Sequence, residues 1–107
     1  MNDVQFVEAS RNYAERIMKE GGDHFKSRLN YAFLLASARP ADDFRIASLK
    51  KLYDSQFEVF KADPKRADDL IAFGESKRDE SLNNIELAAW TTVASVILNL
   101  DEVLNKE

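Results

Sequence analysis

The stretch from Leu87 to Leu100 sets the tightest limit on how this chain can fold. It holds fourteen residues and no charge. An α-helix through it is apolar on nearly every side, and such a helix is stable in water only when other elements surround it. It falls short of the ~20 residues that span a bilayer. Asn83 stands where a helix cap belongs, and Glu86, three residues on, stands where a capping-box partner belongs. The pattern predicts a helix over 84–105 at the centre of an all-α bundle, with the rest of the chain forming the walls.

The preceding residues carry helical spacing throughout and no run of period-two alternation. A first helix over about 3–20 places Phe6, Val7, Tyr13, Ala14, Ile17 and Met18 on one stripe, with Asn2 or Asp3 as cap. Gly21-Gly22 stops it, since glycine readily takes the left-handed conformation that ends helices. Asp23 then caps a second helix over about 24–38, with Phe25, Leu29, Ala32, Phe33 and Ala36 inward. Tyr31, Leu34 and Leu35 widen that face, which predicts a heavily buried helix. Pro40 breaks the chain, and Asp42 and Asp43 open a third helix over about 41–62. Its stripe is Ile46, Leu49, Leu52, Tyr53, Phe57 and Phe60. Asp63-Pro64 is a strong start signal, a side-chain cap followed by a residue whose φ is already helical. A short helix over about 64–73 follows, with Ala67, Leu70, Ile71 and Phe73 inward and Gly74 at its close. Residues 75–82 are polar and read as a loop. The sum is a compact bundle of about five helices in one domain, residues 1–107, with the C-terminal helix central.

Composition removes several kinds of chemistry. No Cys among 107 residues excludes disulfides, thiolate metal sites, covalent haem attachment and a cysteine nucleophile. A single His excludes a multi-histidine metal centre. The net charge of −4 argues against broad nucleic-acid binding, which needs a dominant basic surface. That charge is uneven: residues 1–53 carry nine basic and seven acidic groups, and residues 54–107 carry six and twelve. Arg28, Arg39 and Arg45, with Lys26, Lys50 and Lys51, produce the early excess, but Tyr13, Tyr31 and Tyr53 lie on or near apolar stripes rather than among those cations. His24 lacks a carboxylate aimed at it, because its neighbour Asp23 points elsewhere on a helix. Four acidic doublets occur, Asp42-Asp43, Asp68-Asp69, Asp79-Glu80 and Asp101-Glu102; doublets within one helix point about 100° apart and do not converge on a cation alone. No phosphate loop, nucleophile elbow or zinc-protease motif is present. No cofactor is expected. Trp90, Asn99 and Asp101 stand out. Trp90, Ala94, Ile97 and Asp101 share one stripe, and Asn99 interrupts the apolar helix. Two readings compete: Trp90 as part of a binding surface, or Trp90 as a core anchor with Asn99 and Asp101 tying down a neighbouring segment.

The tail Glu86-Leu-Ala-Ala-Trp90, a small apolar run, then Leu98-Asn99-Leu100-Asp101-Glu102, resembles the C-terminal signature of a planctomycete-specific domain of unknown function. Phe6-Val7-Glu8-Ala9, Arg28-Leu29-x-Tyr31-Ala32-Phe33 and Ala62-Asp63-Pro64 with Gly74-Glu75-Ser76 resemble the same family in the same order. One departure is Ala38, where the family often has Gly before the arginine, so the turn after helix 2 is expected to differ in shape. The resemblance implies that the chain closes a larger, exported, multidomain protein whose other domains include cytochrome-c-like ones. It implies upstream domains as partners, no covalent haem on this chain and no assigned catalytic residues. Trp90, Asn99, Asp101 and Glu102 carry over as signature positions and possible interaction residues. The resulting expectation is a non-catalytic packing or protein-interaction domain, with no nucleic acid and no membrane insertion. The alternatives are an accessory part of a carbohydrate-processing or redox site using Asp101 or Glu102, and an acidic-face module for cations or basic peptides.

Overall fold

The computed structural model describes residues 4–37, 39–74 and 77–105, with side chains as far as residue 100. Among these residues the chain forms five α-helices and no strand: α1 Val4–Glu20, α2 Phe25–Ser37, α3 Asp43–Ala62, α4 Pro64–Ile71 and α5 Asn84–Asn105. The uncharged stretch is the hub. Leu87, Ala88, Ala89 and Trp90 are all buried, as are Val93, Ala94 and Ile97. Four successive buried residues turn through about 300° of a helix, so α5 is covered on most of its circumference. It packs against each of the other four helices, most extensively against α1 and α3. The radius of gyration is 13.0 Å, close to the ~13 Å of a single domain of about 100 residues.

Helix ends follow local chemistry. Asp63 Oδ1 accepts the Arg66 amide at 3.4 Å, with Pro64 in the first turn. Asp42 caps α3 by accepting the Arg45 amide at 2.8 Å, so the helix begins at Asp43 rather than at 41. Asn83 Oδ1 accepts the Glu86 amide at 3.0 Å and its carbonyl accepts the Leu87 amide at 2.9 Å. The second helix starts one residue later than expected. His24 provides the first carbonyl, bonded to the Arg28 amide at 3.0 Å, and Ser27 donates back to the same oxygen. The caps expected at Asn2 or Asp3, and the turn at Ala38, lie outside the described residues.

The two glycines after α1 have separate roles. Gly22 takes the left-handed φ of +89°. Gly21 is required by closeness: a Cβ there would stand 2.5 Å from the Ile17 oxygen and 2.8 Å from Arg28 Cα. That contact folds α2 back onto α1. Arg28 then closes the end of α1, with Nε on the Gly22 oxygen at 2.8 Å and Nη2 on the Met18 oxygen at 3.3 Å. A cation at these orphan carbonyls also suits the helix dipole. The Tyr13 hydroxyl bonds the Ala32 carbonyl and fastens the middle of the same pair.

Two expectations about burial are corrected. Leu34 and Leu35 are 51% and 42% exposed, so α2 buries a narrow stripe of Leu29, Ala32 and Phe33 rather than most of its surface. Only one side of α2 meets other helices. Phe73 is 44% exposed, because α4 ends at Ile71 and the turn at Ala72 carries the chain away before Phe73 can face inward.

Candidate functional site

The residues singled out in the last helix do not form one site. Trp90 and Asn99 are nine positions apart, which is half a revolution on an α-helix. Trp90 is 1% exposed and anchors an aromatic cluster. Its ring stacks on Phe25 at 5.0 Å and meets Tyr53 at 5.2 Å; Tyr53 in turn stacks on Phe57 at 6.0 Å. Three helices are joined at this point. Burial pushes the Tyr53 hydroxyl up to about 12, with the Glu86 carboxylate adding to the rise. Lys50 lies over the Phe25 ring at 5.6 Å and bonds both oxygens of Asp54. Asp101 and Glu102 continue α5, but their side chains lie outside the described residues.

Asn99 is exposed and stands at the mouth of a cleft of about 190 Å³ on the opposite face of α5. α1 contributes Phe6, Val7 and Ser10 to its wall, and α4 contributes Leu70. The α5 side is a polar stripe of Thr91, Thr92, Ser95 and Asn99. Each hydroxyl proton is committed to a backbone carbonyl: Thr91 to Leu87, Thr92 to Ala88, Ser95 to Thr92 and Ser10 to Phe6. The oxygens keep lone pairs, so this wall accepts hydrogen bonds more readily than it donates them. Among the described residues no charged side chain lines the cleft.

A polar clamp along α1 escaped the sequence reading. Ser10 and Arg11 are completely buried beside the apolar stripe. Arg11 lies between Glu8 at 3.9 Å and Glu15 at 3.8 Å. Glu15 accepts the Asp79 amide at 2.7 Å, and Lys19 pairs with the Asp79 carboxylate. Ser81 donates to the same carboxylate through its amide and its hydroxyl. Lys19 and Ser81 together hold the Asp79 carboxyl well below the usual carboxylate range, and Asp79 raises Lys19. Gly74 lies against Glu8, where a Cβ would come within 2.7 Å of its carboxyl carbon. The loop between α4 and α5 is thus held along α1. The signal was present as Glu8, Arg11, Glu15 and Lys19 at helical spacing beside the apolar stripe. A second surface cluster joins α1 to α2. There Tyr31 bonds Glu20 and holds its carboxyl down, with Arg16 adding to the effect.

The remaining candidates do not converge. Asp68 accepts from the Asn84 amide group at 2.8 Å, and Asp69 pairs with Lys65 at 3.2 Å. His24 is exposed in the turn between α1 and α2. Among the described residues no group of three or more His, Cys, Asp or Glu side chains is placed to hold a metal ion. No helix among them is long and apolar enough to cross a membrane. Comparison with protein-family models, with curated proteins and with solved structures finds no match. The functional reading therefore starts from the chain's own geometry.

Proposed function

We propose that the chain is a non-catalytic helical interaction domain that docks against another domain of a larger, exported protein. The observation that carries this is Phe44, which is 79% exposed in the first turn of α3. Burying a phenylalanine stabilises by about 1.5–3 kcal/mol, and this one is left in water. Leu34 and Leu35 are also exposed, on α2. The Asn30 side chain, one turn before Leu34, accepts the Ala41 amide at 3.3 Å and holds the approach to α3 against α2. That bond ties the segment leading to Phe44 to the helix that carries Leu34 and Leu35. The planctomycete-type signature supports the same reading, because it implies upstream domains as partners.

The test compares the chain alone with the chain joined to whatever its reading frame encodes upstream. Amide chemical shifts and exchange rates are recorded for both. Docking predicts shifts and added protection around Leu34, Leu35 and Phe44 in the joined protein, with both lost in Phe44→Ser. Superimposable spectra, or a reading frame with no upstream domain, overturn the proposal.

A further inference from the structure

We propose that the cleft between α1, α4 and α5 binds a small neutral ring alcohol of the phenol type. This goes beyond the docking role and uses a different face of α5 from the one that carries Trp90. The argument begins with what the cleft lacks. Along α5 the surrounding positions are Leu, Ala, Val and Ile, yet the stripe facing Phe6 and Leu70 is Thr92, Ser95 and Asn99. Short polar side chains there leave about 190 Å³ unfilled. An apolar protein cavity of about 150 Å³ holds one benzene molecule, so the space fits a single ring with one substituent.

The lining selects the chemistry. Phe6, Val7 and Leu70 offer an apolar bed for a ring face. The described lining residues are all uncharged, so an ionised ligand would lose water without gaining a partner among them. The Thr92 and Ser95 protons are already held by carbonyls at 3.2 and 2.7 Å, which leaves their oxygens free to accept. The complementary ligand is apolar in body, neutral, and equipped with one hydroxyl donor. Asn99, exposed at the edge of the cleft, supplies an amide N–H that can donate to the oxygen of the same hydroxyl. This gives the signature asparagine a role that core packing does not.

The experiment titrates the ¹⁵N-labelled chain separately with phenol, benzene and benzoate. Phenol is expected to bind saturably in the millimolar range, with shifts centred on residues 6–10, 70 and 91–99. Benzene is expected to bind about fivefold more weakly, the value of one net hydrogen bond, and benzoate not to saturate. Ser95→Phe fills the cleft and should abolish phenol binding. If that variant does not fold, Thr92→Val combined with Ser95→Ala decides: it removes the two lining hydroxyl acceptors that are not themselves buried while keeping the apolar bed, and should narrow the gap between phenol and benzene. Absence of saturable phenol binding, shifts centred elsewhere, or an unchanged phenol-to-benzene ratio in the double variant overturns the proposal.

Discussion

Trp90 touches residues from two helices besides its own, so the effect of its loss is set by how little can move in to replace it. Trp90→Ala removes the ring that holds Phe25 and Tyr53 in place. The expected loss is about 3–5 kcal/mol in urea unfolding, a large part of the total of about 5–15 kcal/mol for a small domain. Trp90→Phe keeps part of the stack and should lose clearly less; equal losses would mean that the cluster contributes nothing as a unit. Tyr53 provides a second check. Its hydroxyl titrates near 12 in the folded state, above the ordinary 10. The folded chain therefore binds the proton more tightly than the unfolded chain. Tyr53 favours folding below about pH 10, and that contribution is lost as pH rises from there through about 12. Tyrosinate absorbance of the wild type and of Tyr53→Phe should differ by one late-titrating group, and the variant should lose less stability over that interval.

Among the elements, the loop between α4 and α5 combines charged ties to α1 with one apolar contact, Leu82, against the core. Its carboxylate at Asp79 is depressed by Lys19 and Ser81. Such a group favours folding above its unfolded value near 4 and loses that effect as pH falls through its lower folded value. Asp79→Asn should therefore lower Tm at pH 7 and flatten the decline of Tm in acid. An unchanged acid profile would show that the loop is held without the Asp79 carboxylate. The clamp also shows where sequence reading stops. Caps at Asp63 and Asn83 were legible because a cap is decided within four residues, and the α5 core was legible because its apolarity needs no partner to be seen. The charged residues of α1 were visible at helical spacing, but the Asp79 amide that Glu15 holds comes from a loop 64 residues away, and no local pattern reports that pairing. Leu34, Leu35 and Phe73 failed for a related reason: periodicity gives the width of an apolar face, but only the neighbours decide how much of it is covered. At the candidate cleft, Asn99 was visible as an interruption, whereas the space beside it was not, because a void is defined by side chains from three helices.

For the whole molecule, the arrangement around α5 predicts a gradient of stability. Amide exchange should be slowest between Leu87 and Ile97, where most residues are buried, and should approach the rate of global unfolding there. The last turn of α2, with Leu34 and Leu35 exposed and only a narrow inner stripe, should open more readily. Equal protection across α2 and α5 would contradict the hub description. The position of the hub in the order of synthesis has a consequence of its own. On the ribosome, α1 to α4 emerge before the helix that all of them need, and α1 waits about eighty residues for its main partner. Contacts of such sequence separation slow folding relative to bundles built from neighbouring hairpins. The nascent chain therefore lacks the α5 surface that covers Phe25 and Tyr53 until the last helix arrives, an interval in which exposed apolar surface favours aggregation over a folded domain.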